Sequence, residues 1–485
     1  MKKFSGFLVA AALLTACGDD TNNEDTGAES TDTESTTDPT GDTETTDPTA
    51  STESESEGET ETTDPDTTAT DTDPTGDTDD VPTGCADPND GPTMEISGNI
   101  EGDMMLTCDT IWVLTDIIFV NGGTLTIEPG TTIKGTEGSA LVIDQDASID
   151  AQGTADAPIV MTSIQAEGSR GRGDWGGFVM LGDAPVNLEG GSGQAEGFAN
   201  PPSYGGDDTA HNCGALSYLR VEWAGFAIAE GSELNGITFY SCGTDTSVDH
   251  VQVHMGADDG IEMFGGAFDG DHLIVTGAED DSIDCDQGYQ GELQYVFIHQ
   301  DPAIGDNAFE WSNQGTDFSA TPTTSPAVSN GTIVGSGANG DKSKGMTLKE
   351  GTEAKLVNSV FGNFTNELVF LQNSETQAIA EGGGIVIEGN IYFGSGAPGV
   401  DDEKGSDVTW TADDLQTFID DGGNSEADPM LGSAEWGNPD VAPMAGSPVE
   451  SGAVAPGGSF EATDYVGAVE PGGDNWTLGW TNYAI

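Results

Sequence analysis

The sequence predicts an all-β protein, a parallel β-helix (solenoid) preceded by a disordered acidic stalk. Three observations carry that prediction. Residues 250–254 (HVQVH) with 260–264 (GIEMF), 272–276 (HLIVT) with 282–286 (SIDCD), and 295–299 (YVFIH) with 308–311 (AFEW) line up on one another. Each pair is strand, acidic or Gly-rich turn, strand, returning after about 22 to 26 residues, the length of a solenoid coil. Alternation is the second observation. Val251/Val253, Leu273/Val275 and Val296/Ile298 face one way, and so do Ile261/Met263, Ile283/Cys285 and Phe309/Trp311. A helical solenoid needs a 3.6-residue period; a period of two selects strands, which stack at about 4.8 Å and bury these sets as apolar columns. The third is composition: 70 glycines in 485 residues with 7% aromatics suit one long solenoid with many turns.

Eleven basic residues oppose 87 acidic ones, a formal charge of −76. Such a field repels nucleic acid, which is excluded as a partner, and attracts cations; solubility in a salty habitat explains the charge equally well.

At the amino terminus Lys2 and Lys3 precede an apolar run from Phe4 to Leu14, too short to span a bilayer, and then residues 14–17 (LTAC). This leader resembles the bacterial lipoprotein signal, cut before the cysteine, which implies acylation of Cys17 and an outer-membrane anchor. From residue 18 to 84 the chain is Thr, Asp, Glu, Ser, Pro and Gly, with Thr-Asp-Pro at 37–39, 46–48, 63–65 and 72–74, and without aromatic or basic residues. Nothing there offsets the entropy of ordering, so it reads as a disordered tether averaging roughly 45 Å end to end, longer with charge repulsion and proline.

Residues 85–404 are expected to form the β-helix and 405–485 a C-terminal helix with a capping region. Export makes disulfides plausible: Cys85 with Cys108, pinning a cap over the first coil, and Cys213 with Cys242. Cys285, left over, lies in the inward register and is expected to be a buried core thiol. The first coils are read at 124–135 (TLTIEPGTTIKG), echoed about 16 residues later at 140–144 and 147–149, and continued at 158–163 and 175–182. A Gly/Asn/Pro-rich excursion, 183–212, is either a binding loop or a cover over one face. Residues 345–348, 356–361 and 385–393 extend the stack. Thr411 opens a helix containing Leu415, Phe418 and Ile419, placed to plug the open end.

Several motifs recur in order after residue 94: 124–135, 173–177 (GDWGG), 256–266 (GADDGIEMFGG), 277–288 (GAEDDSIDCDQG) and 475–480 (NWTLGW). Together they resemble a family of exported bacterial right-handed parallel β-helix proteins, often lipoproteins. The pair 428–431 (DPML) and 447–448 (SP) resembles the ending of pectate-lyase-like helices. The resemblance implies the fold and export and no catalytic residue; where relatives tend to carry an aromatic, this chain has Cys285.

Residues that carry chemistry are sparse. Asp280-Asp281 resembles the paired aspartates of polygalacturonases, yet no Gly-His-Gly or Arg-Ile-Lys element accompanies it, and a polyuronate lyase needs a cation at the substrate carboxylate. Arg172-Gly173-Asp174 belongs to the GDWGG turn rather than to an adhesive tripeptide. His250, His272 and Tyr295 form an outward row, expected to lie under a cover such as 183–212 or to serve as a sugar platform. Glu262, Asp284 and Glu310 fall in one outward column, with Asp258, Asp259, Asp280, Asp281 and Asp286 beside it. Carboxylates about 5 Å apart repel, and calcium, with six to eight oxygen ligands, relieves that repulsion. The function expected is a surface-anchored module binding a glycan or a surface protein, with a carbohydrate-active enzyme or a structural coat protein as alternatives.

Overall fold

The structure, a computed structural model, describes residues 84–226, 234–337, 343–402 and 406–485; Cys17 and the acidic tether up to residue 83 lie outside them. Two parallel sheets wind around a common core. One has eleven strands, from Ile100–Glu101 to Gly399–Val400, and forms the first face. The other has seventeen and folds into two faces. Its long strands Gly214–Glu222, Ser247–His254, Gly270–Thr276, Glu292–His299 and Ala327–Val334 each bend at one residue with left-handed backbone: Tyr218, His250, His272, Tyr295 and Asn330, with φ of 45°, 53°, 55°, 60° and 56°. Before the bend a strand belongs to the second face, after it to the third.

The predicted registers are the observed ones. Val251 pairs with Leu273 and Leu273 with Val296; Ile261 pairs with Ile283 and Ile283 with Phe309; Met263 pairs with Cys285 and Cys285 with Trp311. All are buried in the one main core, and a fully buried side chain of this size contributes about 1.5–3 kcal/mol. Cys285 is a free thiol within it, and burial pushes its ionisation up.

The start of the stack differs from expectation. Strands Thr93–Ile96, Met104–Leu106, Ile111–Leu114 and Ile117–Asn121 precede residue 124. The rung above Leu125 is Ile149, not a residue 16 positions on; the 16-residue echo relates neighbouring faces of one coil rather than successive coils. The GDWGG motif also finds its reason here. Trp175 lies flat over Gly135, where an added Cβ would come within 2.6 Å of the ring, and its indole N–H donates to the Glu222 carbonyl at 2.9 Å.

Cys85 is bonded to Cys108 and Cys213 to Cys242, as paired from the sequence. Helix α1, Ser374–Gly382, sits between strands of the late coils and was not expected. Helix α2, Ala412–Asp421, starts at a capping box in which Thr411 and Asp414 satisfy each other's backbone N–H, and it buries Leu415 and Ile419 in the main core. It closes the cut end of the stack, whose strand edges and core would otherwise face water. No helix among the described residues is long and apolar enough to cross a membrane.

Two outward faces are covered. The 183–212 excursion, with a small hairpin of Gly193–Gln194 and Ser203–Tyr204, lies over the first face and buries Tyr204, Phe198 and Val186 against Tyr240, Phe264 and Val142. The carboxyl-terminal segment starts at the edge of the second face, where Ser459 reaches Glu292 and Glu461 reaches Gln294, and runs back along the third, where Ala468 reaches Thr332 and Asn482 reaches Gln252.

Candidate functional site

Strands Ile237–Tyr240, Ile261–Phe264, Ile283–Asp286, Asn307–Ser312 and Lys344–Lys349 are successive rungs of the first face, and alternation aims every second side chain outward. The resulting column is Thr238, Glu262, Asp284, Glu310 and Thr347, with Glu262 paired to Asp284 and Asp284 to Glu310. Turn residues join it. Carboxylate oxygens lie within 4.8 Å of one another in three groups: Asp258, Asp259 and Asp280; Asp259, Glu262 and Asp284; Asp281, Asp284 and Glu310. Asp286, the remaining member of the expected set, is in none of them and accepts the Gln287 N–H at 2.5 Å.

Contrary to a solvated acidic surface, most of this column is enclosed: Asp259, Glu262, Asp281 and Asp284 are each 4–6% exposed. Burial, then the charges of neighbouring carboxylates, push all four well above the usual carboxylate range. Glu196, carried by the excursion, is the nearest in effect of the acids acting on Glu262. The two ends of the column are satisfied differently. Asp281 accepts from the Asn307 backbone N–H at 2.7 Å and its amide at 2.8 Å, and Glu310 is ion-paired with Lys349. At the other end Glu262 accepts from the Asn235 amide and Asp259 from the Asp281 N–H, while Asp284 Oδ1 is buried without a partner. Lys349, absent from the expected set, was hidden because its partner Glu310 is 39 residues away.

The histidine row is not on a flat sheet. Its members occupy the left-handed bends, stacking as Tyr218, His250, His272 and Tyr295 with ring centroids 4.3, 4.1 and 4.9 Å apart. Asp249 Oδ1 accepts from both His250 Nδ1 and His272 Nδ1 at 2.8 Å. Burial works against ionisation of Asp249, but these two bonds outweigh it and hold the carboxyl low. The cover is the carboxyl-terminal segment and not 183–212: Trp476 and Trp480 stand edge-on to the imidazoles, leaving no open sugar platform. Burial likewise lowers His299, to about 4, beside Trp436.

Neither motif that suggested an enzyme or an adhesin is open. Asp281 is buried and committed to Asn307. Arg172 is turned inward, bonded to Asp301 at 2.6 Å and to the Gly277 carbonyl at 3.0 Å. Among the described residues a shallow groove of about 410 Å³ opens on the second face, lined by Gln290, Glu292, Ser325, Glu353 and Lys355. Lys355 donates to the Pro456 carbonyl and stands 5.5 Å from the Phe460 ring centroid, so the carboxyl-terminal segment fixes this lining side chain.

No curated protein and no solved structure matches the chain. A sequence profile of the pectate-lyase like beta helix domain matches residues 98–437, which spans the stacked coils, the buried acidic column and the groove. The chain therefore belongs to the pectate-lyase-like β-helix family.

Proposed function

We propose that this protein is a lipid-anchored binding module of the outer membrane, displayed at the cell surface through acylated Cys17 and the acidic tether, whose ligand is a neutral glycan. The observation that carries the reading is the groove on the second face. The Glu292 carboxylate and Lys355 ammonium stand on paired strands, with the Gln290 amide, Ser325 hydroxyl and Glu353 carboxylate in the turns that lead into those strands, a polar arrangement suited to sugar hydroxyls, whereas the other two outward faces are covered. A charge of −76 disfavours polyuronates and selects an uncharged ligand.

Two measurements test it. On an array carrying neutral and acidic glycans, the purified protein is expected to retain neutral oligosaccharides, and Glu353→Ala to weaken that retention about tenfold or more, the loss of one or two hydrogen bonds to a charged group. Cleavage of uronate polymers, or retention unaffected by Glu353→Ala, would count against the reading. Separately, Cys17→Ser is expected to move the protein from membrane to soluble fractions, because removing the acyl chains removes about 0.8 kcal/mol per buried methylene. A variant that still sediments with membranes contradicts the anchor.

A further inference from the structure

We infer that Asp259, Glu262 and Asp284 form an enclosed structural site for one calcium ion, on the first face beneath the excursion. Three observations converge on it. Each of the three side chains is about nineteen-twentieths buried, and their oxygens lie within 4.8 Å of one another. Oxygens that close can share one ion: calcium bonds at about 2.3–2.6 Å with six to eight oxygens in loose geometry, whereas magnesium, at about 2.0–2.1 Å, requires a strict octahedron. Asp284 Oδ1 is a buried carboxylate oxygen with no hydrogen-bond partner, in a side chain that belongs to this cluster; Lys349, the cation that acts on Asp284, is ion-paired with Glu310. Finally, the chain supplies its own comparison one rung away. Glu310 has the Lys349 ammonium, and Asp281 has the Asn307 backbone and amide N–H.

Leaving several adjoining carboxylates buried without a cation is costly in either protonation state. Ionised, they repel through a medium of low dielectric; protonated, they give up their hydration. A divalent ion converts that repulsion into attraction and takes the orphaned oxygen as a ligand. The remaining coordination positions are open to second carboxylate oxygens and water, in keeping with the loose geometry calcium accepts. Glu196, the strongest charged neighbour of Glu262, sits on the excursion, so the ion also draws that cover toward the stack. The site is structural: it is roofed over and presents no coordination position to a polymeric substrate.

The experiment uses the purified full-length chain, stripped with chelator and titrated at fixed ionic strength. Calcium is expected to bind with one enclosed equivalent retained through gel filtration, and to raise Tm by about 3–6 °C at a hundredfold excess over Kd, growing with the logarithm of free calcium. Asp284→Asn keeps the shape and removes the charge. It is expected to fold, to be at least as stable as the stripped parent, and to lose the retained equivalent and the Tm increment. Glu262→Gln, measured in the same way, decides the matter if Asp284→Asn does not fold. Equal stabilisation by sodium at matched ionic strength overturns the site. So does a retained equivalent in the variant that folds.

Discussion

Ending the chain at Gly458 is expected to leave a domain that aggregates, because the missing segment is the cover of the third face. Ile274, Phe297, Val469 and Trp480 form one buried cluster with Val441, flanked by Tyr218, Trp476 and Tyr483. Losing the burial of four such side chains, two of them deleted and two exposed, costs on the order of 6–12 kcal/mol, comparable with the whole stability margin of an ordinary domain. The truncation also strips the hydrogen-bond partners of Gln252, Gln294 and Asn330, whose amides are satisfied by Asn482, Glu461 and Thr463, and exposes the stacked histidines. Size-exclusion chromatography with light scattering reads the result directly, and binding of an apolar dye reports the uncovered face. A truncated chain that stays monomeric with an unchanged Tm would mean that the segment is ornamental. Trp480→Ala is the milder form, expected to lower stability by about 3–5 kcal/mol.

Trp311→Ala is expected to destabilise the protein by about 3–5 kcal/mol, through the cavity left in the inner column between Cys285 and Leu348. Trp311 is fully buried, with its ring centroid 5.1 Å from that of Phe309. Its indole N–H is buried without an acceptor, an arrangement that itself costs about 1–3 kcal/mol. Trp311→Phe should therefore cost less than its lost volume implies, since the unsatisfied donor leaves with the ring. Denaturant unfolding of the two variants separates the contributions. If phenylalanine proves as damaging as alanine, the donor is satisfied in solution and the column is held by shape alone.

The inward columns were legible because burial and the two-residue period act on the same side chains: Val251, Leu273 and Val296 had to face in for any of them to be covered. The register then placed Glu262 on Asp284 and Asp284 on Glu310 with no further information. The corners were not legible. A left-handed residue such as His250 adds one position between Val248 and Val251, both of which face inward, and hydropathy does not mark that added residue as a bend. A reading that continued the alternation therefore laid His250 and His272 on a flat sheet. The same limit hid both covers' partners. Tyr204 over Phe264 and Trp480 over His250 are contacts between distant stretches whose own patterns are irregular. The acidic column was visible as a row of charges, but its enclosure by the excursion, and the unequal provision of Lys349 at one end, are properties of packing alone.

The return path of the carboxyl terminus alters how this molecule can be assembled in time. Within the stack each strand pairs with one about a coil away, as His254 does with Thr276, 22 residues on, so rungs can zip one upon the next with little loop-closure entropy. The terminal segment instead joins Arg220 to Trp480 across 260 residues and Gln252 to Asn482 across 230. Such contacts raise the sequence separation that slows folding, and they cannot form until the final coils exist to deliver the segment. During synthesis the apolar third face is consequently bare until the last residues emerge. Refolding should show a fast phase of strand formation and a slower one in which Trp476 and Trp480 fluorescence changes as the strap docks.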